Sequence, residues 1–137
     1  MIHSTGRHIR AKNEQGVLVL TITDPDVREY EAVKELGQQL HDAITRSRVR
    51  KVALDFALVR FTSSVAFWPV IFLNRKLREM GGRVILCNMT PMIKHVFEQT
   101  RLLVDSRSPT GLFEYAPDLA TVIARLNRSA SLRANFR

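Results

Sequence analysis

Cysteine is almost missing from this sequence: Cys87 is the single one, so no disulfide can form within the chain. A lone thiol suits a reducing compartment. The longest apolar run, Val65 to Leu73, is nine residues, whereas a membrane-spanning helix needs about 20. Membrane insertion is therefore not expected. The opening stretch Met1 to Arg10 lacks the apolar segment that marks a signal peptide, which makes the cytoplasm the expected location. Glycine and proline number six and five, too few for a low-complexity or fibrous chain.

Catalytic signatures are missing as well. Neither G-x-x-x-x-G-K-[ST] nor G-x-G-x-x-G occurs, so no phosphate-cradling loop is encoded. No serine stands in a G-x-S-x-G elbow. His3, His8, His41, His95 and Cys87 are scattered without i,i+3 or i,i+4 pairing, which leaves no local metal site. No metal or cofactor is expected, and the chain reads as a non-enzyme. A small enzyme with dispersed residues is the weaker alternative, because triads need not be local.

Acidic residues are absent from both ends. The net charge of +8 arises there: Arg7, Arg10 and Lys12 at one end, Arg125, Arg128, Arg133 and Arg137 at the other. All 13 acids lie within 13–118 beside 14 bases, so that body is close to neutral. A nucleic-acid reader carries its charge on the folded face, so direct nucleic-acid binding is disfavoured.

What is present is the alternation of an α/β domain. Val17 to Ile22 is a compact β-branched and apolar run, with His8 to Ala11 as a weaker partner across the turn-forming Asn13-Glu14-Gln15-Gly16. Thr23 to Asp26 stops the strand. Val33, Leu36, Leu40 and Ile44 recur at helical spacing, predicting an amphipathic helix over 29–46. Val52 to Phe56 and Arg83 to Asn88 read as buried strands. Between them the stripe Ala66, Val70, Leu73, Leu77 and Met80 predicts a helix stopped by Gly81-Gly82. A further helix starts at Thr90-Pro91 and ends before Leu102. Leu112 to Tyr115 suits a short last strand, and Pro117 to Leu126 a final helix.

The 137 residues match one domain able to bury about two-thirds of its unfolded surface. The expected division is a basic segment over 1–12 with room for an edge strand, a folded body over 13–127, and a basic flexible tail over 128–137. The fold class is α/β, a small mixed sheet of four to five strands with helices packed on it.

The stretch V-A-L-D-F-A-L-V-R-F-T-S-S-V-A-F, Val52 to Phe67, resembles the STAS domain of bacterial anti-sigma-factor antagonists. In that family a strand ending in L-D-[LF]-s-x-V-x-F leads through an acidic residue, a Ser or Thr and a small-residue turn into a helix. Met80-Gly81-Gly82-Arg83-Val84-Ile85-Leu86-Cys87 and the helix begun by Pro91 look like the family's next segments. The resemblance implies docking onto an anti-sigma factor, a serine kinase of ATPase fold, and phosphorylation of Ser64. Ser63 stands where the family has its acid, Val65 and Ala66 replace Ser and Gly, and Trp68 and Pro69 are atypical. The resemblance equally accommodates a STAS scaffold without phosphorylation or a transporter-associated subunit.

Several residues near this turn have two readings. Asp55, at the end of a central strand, either bonds the following loop or faces a site at the sheet edge. Thr62, Ser63 and Ser64 are all competent to cap a helix, and capping is compatible with a phosphate on Ser64. A helix starting at Ser64 would carry Pro69 at its sixth residue, which predicts an irregular first turn or a later start. Phe67 and Ile71 form one apolar row beyond the core stripe, Trp68 and Phe72 another. Such a helix is either covered or offered to a partner, so Phe67, Trp68 and Ile71 are candidates for an interface with a partner or a second copy.

Overall fold

A computed structural model describes residues 2–5, 8–99 and 113–135, with side chains for 8–99 and 113–128. Arg7, Arg137, Leu112 and the segment 100–102 lie outside the described residues. The expected mixed sheet is present and, among the described residues, has six strands: β1 (Ile2–Thr5), β2 (Ile9–Glu14), β3 (Val17–Ile22), β5 (Lys51–Asp55), β7 (Arg83–Cys87) and β8 (Glu114–Ala116), in the order β1-β2-β3-β5-β7-β8. The sixth, β1, adds an outer edge to the strands read from the sequence. Two very short segments, β4 (Asp26–Val27) and β6 (Phe61–Thr62), pair in parallel apart from it.

The hairpin joining β2 and β3 turns through Gln15 and Gly16, both at positive φ. Two such residues in succession match the right-handed twist of the flanking strands. From β3 onward the sheet is parallel: Leu18 pairs with Val52, Val52 with Val84 and Leu86 with Tyr115. Central parallel strands are covered on both faces and so read as unbroken apolar runs, which is why Val17 to Leu20 and Val52 to Leu54 alternate in facing rather than in polarity.

Side-chain alternation divides those strands between two cores. Leu18, Leu20, Val52, Leu54, Val84 and Leu86 face α1 (Tyr30–Arg46), α2 (Phe67–Glu79) and α3 (Pro91–Gln99). Val17, Val19, Ala53, Ile85 and Cys87 face α4 (Leu119–Asn135) through Val122, Ile123 and Leu126. Burying one Val, Leu or Ile contributes about 1.5–3 kcal/mol, so both layers matter to stability. Asn127 of α4 accepts from Lys51 Nζ at 2.6 Å and donates to Gln15 O at 3.1 Å, tying the helix to the hairpin turn. Among the described residues, no helix is long and apolar enough to cross a membrane.

Helix ends differ from expectation in one place. The last helix runs to Asn135, well past Leu126, because no Gly or Pro interrupts 127–135. The α2 stop is as the sequence reads: Gly82 N–H donates to Leu77 O and Gly81 N–H to Arg78 O, with Gly81 at φ +78°. This is a Schellman closure. A Cβ on Gly82 would stand 2.7 Å from Arg50 O, so the glycine also permits the close passage into β7.

Candidate functional site

The C-terminal ends of β3, β5 and β7 converge on Asp55, which is only 8% exposed. Its carboxylate accepts from Thr21 Oγ1 at 3.1 Å, Ala57 N–H at 2.9 Å and Asn88 Nδ2 at 2.9 Å. Each partner belongs to a different segment: β3, the loop after β5, and the residue after β7 held at positive φ. Of the two readings open to Asp55, the geometry supports the loop-bonding one. Beside it, burial, with the negative charges of Asp55 and Asp118, pushes the Cys87 thiol up to about 12. A thiol so protonated and fully buried is core, not nucleophile.

The chain then descends through a loop built to aim the next residues. Phe56 N–H donates to Cys87 O at 3.0 Å and Val59 N–H to Phe56 O at 3.0 Å. Arg60 and Phe61 N–H both donate to Pro25 O, at 2.8 and 3.0 Å, and β6 pairs with β4. Thr62 Oγ1 donates to Val27 O at 3.4 Å. The turn that follows is therefore anchored on a segment some 35 residues earlier, a pairing that local sequence signals do not contain.

Ser63, Ser64 and Ala66 form that turn. A single 3₁₀ turn, Ser64–Ala66, precedes α2. The expectation of side-chain capping is corrected: Ser63 holds the capping position with extended backbone but makes no side-chain cap bond, and the turn closes through Ala66 N–H to Ser63 O at 3.1 Å. Ser63 Oγ is shielded from solvent without a hydrogen-bond partner among the described residues. Ser64 is exposed. The irregular start read from Pro69 is present and explained: α2 begins at Phe67, so Pro69 is its third residue, where the missing N–H would have had no intrahelical acceptor.

The apolar surplus of α2 divides. Phe67 is corrected from interface to core: it is 6% exposed and its ring lies 4.6 Å from that of Phe97, itself edge-on to Phe56 and Phe113. The late helix start rotates Phe67 inward. Ile71 is half-buried against the same core. Trp68 and Phe72 are 61% and 56% exposed, their ring centroids 6.2 Å apart. Across from them on α1, Tyr30 is 67% exposed and Lys34 is also exposed. Neither α1 residue was singled out from the sequence. The available signal was Tyr30 lying off the Val33-Leu36-Leu40 stripe.

One further polar cluster fastens the β2 end to α1. His8, 5% exposed, places Nδ1 2.5 Å from Asp24 Oδ2 and Nε2 2.7 Å from Glu35 Oε2, while its N–H donates to Gln39 Oε1. Burial acts to lower its pKa, but the hydrogen bonds to Glu35 and Asp24 and their charges outweigh it, so the net direction is upward from 6.5. Among the described residues no three His, Cys, Asp or Glu side chains gather where a metal ion could be held.

The class that the fold and site define is a mixed-sheet α/β domain whose parallel strands lead into a clamped turn, an exposed serine and an aromatic-bearing helix. The profile of the STAS domain family matches residues 8–110, and the chain belongs to that family. BtrV of Bordetella bronchiseptica, named as a candidate anti-sigma factor antagonist, is 33% identical over 49 residues. That match spans 36% of this chain and 42% of BtrV, under half of the curated relative's length. An anti-sigma-factor antagonist (STAS) domain protein from Planctomyces limnophilus shares the fold at TM-score 0.72 and 19% identity, over 87% of this chain and 97% of that one. The Bacillus cell fate determinant SpoIIAA in its phosphorylated form shares it at TM-score 0.59 and 20% identity, over 86% and 98%.

Proposed function

We propose that this chain is a cytoplasmic, non-catalytic regulatory module of the anti-sigma-factor antagonist type, docking through the Ser64 turn and α2 onto an anti-sigma kinase-type partner and switched by phosphorylation of Ser64. The observation that carries the reading is the placement of Ser64: exposed, at the start of the helix that bears Trp68, on a turn held by backbone bonds to Pro25. The turn is thus presented in a set geometry, which lowers the ordering cost of docking. SpoIIAA, which shares the fold, has a phosphorylated form, and that supports a reading in which phosphorylation is the switch.

The chemistry of the switch is electrostatic. A phosphate adds roughly −2 charges and three strong acceptors at a helix start, where the partial positive charge stabilises it. The fold is kept while the docking face changes sign. Ser63, in place of an acid, leaves the unmodified turn neutral, so the contrast between the two states rests on the phosphate alone.

Phosphoserine mapping on chain isolated from its native host, together with partner binding by Ser64→Asp, tests this. The expected result is phosphate on Ser64 and affinity for the partner lowered about tenfold or more, equivalent to about 1.4 kcal/mol, at unchanged stability. No phosphate on Ser64 and unaltered affinity would mark the chain as a STAS scaffold instead.

A further inference from the structure

An open groove of about 860 Å³ runs along the surface where α1 and α2 lie side by side. Its floor is apolar and closely packed. Gly37 of α1 lies against Pro69 of α2 so closely that an added Cβ would stand 3.2 Å from Pro69 Cβ. Leu40 and Leu73, 1% and 3% exposed, continue that floor. The walls are Tyr30, Trp68 and Phe72, all more than half exposed. Isolated exposed apolar residues are ordinary on a monomer, whereas three large rings around one apolar groove mark a contact surface.

The rim charges select the occupant. Lys34 stands on α1 and Lys76 on α2, and neither has an ion-pair partner among the described residues. Arg75 lies over the Phe72 ring at 5.7 Å, adding a third cation on the α2 side. The lining acid, Asp42, has His41 3.9 Å away. The lining residues span 30–44 on α1 and 65–76 on the α2 side. That is about four turns or roughly 21 Å on α1 and about three turns or roughly 16 Å on the α2 side, enough to seat anchors spaced i, i+4 and i+7.

We propose that the α1–α2 groove is the docking site for an acidic amphipathic helix of a partner protein. Apolar anchors fill the floor between the rings, and flanking carboxylates meet Lys34 and Lys76. A second copy is a poor occupant: α4 has no acid anywhere along its length, and α1 already forms a wall, with Glu35 committed to His8. The inference rests on the docking reading above and specifies the partner's chemistry. It also gives the switch a target, because Val65, next to Ser64, lines the same groove. A phosphate there opposes an acidic ligand.

The test titrates the nitrogen-15-labelled 137-residue chain with a synthetic peptide of about four helical turns, carrying leucines at i, i+4, i+7 and i+11 with glutamates between. A twin with lysine for every glutamate is the control. The expected result is amide shifts concentrated on α1 and α2 and at least tenfold tighter binding of the glutamate peptide. The double variant K34E/K76E, on exposed or half-exposed positions, reverses that preference without altering the far-ultraviolet spectrum, and W68A weakens both peptides. Equal binding of the two peptides, no binding, or shifts away from the groove overturns the proposal. So does sedimentation showing a dimer whose dilution moves the α1–α2 resonances, or dodecanoate moving them where the glutamate peptide does not. No kinase enters this experiment. A Ser64→Asp variant that binds the glutamate peptide undiminished refutes gating of the groove by Ser64 and leaves the groove standing, whereas loss of charge preference refutes the groove and leaves Ser64 phosphorylation to its own mapping.

Discussion

Two adjacent aromatic residues, Phe67 and Trp68, offer a direct test of how α2 is seated. Phe67 is 6% exposed and packs on Phe97, whereas Trp68 is 61% exposed with one ring neighbour, Phe72. Truncating a buried Phe to Ala removes transfer free energy and leaves a cavity, about 3–5 kcal/mol in total. The ring cluster holding Phe67 also joins α3 to the loop that follows β5 through Phe97 and Phe56, and edge-on or tilted pairs add roughly 0.5–1.5 kcal/mol each. Phe67→Ala is therefore expected at about 4 kcal/mol. With a urea slope of about 2 kcal/mol per molar, its denaturation midpoint falls by about 2 M. Trp68→Ala loses mostly solvated area and one loose ring contact, so the expected destabilisation is below about 1 kcal/mol, or a midpoint change under about 0.5 M. Urea titration followed by circular dichroism reads both variants. Equal midpoint losses, or a larger loss for Trp68→Ala, would mean that α2 is rotated from the seating described and that the exposed aromatic wall does not exist.

Other expectations follow from the polar clusters and the helix stop. Asp55→Ala strands donors from Thr21, Ala57 and Asn88 at a nearly buried position and is expected to cost about 3 kcal/mol, since each unpaired buried group costs about 1–3; a thermal melt within a degree of wild type would refute it. The His8 clamp makes stability depend on pH in a defined direction. Because the folded pKa is raised above 6.5, its contribution is complete below that value and is lost as pH rises through the folded pKa, so urea midpoints decline there and His8→Gln flattens the decline. Gly82→Ala drives a Cβ to 2.7 Å from Arg50 O and should destabilise by about 1–3 kcal/mol, measured as a lowered melting temperature. Cys87, with its thiol pushed up to about 12, is expected to resist a thiol reagent at pH 8 in the native state and to react fully in denaturant; rapid native labelling would contradict its burial.

Most of the architecture is written in local periodicity. The run Val17 to Ile22, the stripe Val33-Leu36-Leu40-Ile44, the apolar β5 and β7 and the Gly81-Gly82 stop each encode their element over a few neighbouring residues, because side-chain direction follows a period of two or 3.6. Strand alternation with helices likewise leads to adjacent parallel β5 and β7. The sequence also places Asp55, Thr62, Ser63 and Ser64 at a strand-to-helix junction, and Pro69 announces the irregular helix start.

What only the tertiary structure decides depends on contacts distant in sequence. The β4–β6 pairing brings Asp26–Val27 to Phe61–Thr62 and so aims the Ser64 turn, although neither two-residue segment has enough length to read as a strand. Ser63 is cap-competent by type, yet its hydroxyl has no partner among the described residues, since the turn closes through backbone atoms. Phe67 and Trp68 are alike in sequence as adjacent apolar rings. A 3₁₀ turn ahead of α2 sets the helix phase, sending one ring onto Phe97 and leaving the other beside the groove. The opposing wall, Tyr30 and Lys34, becomes part of the same surface only when α1 packs against α2, because a groove between two helices is a property of their crossing and belongs to neither sequence alone.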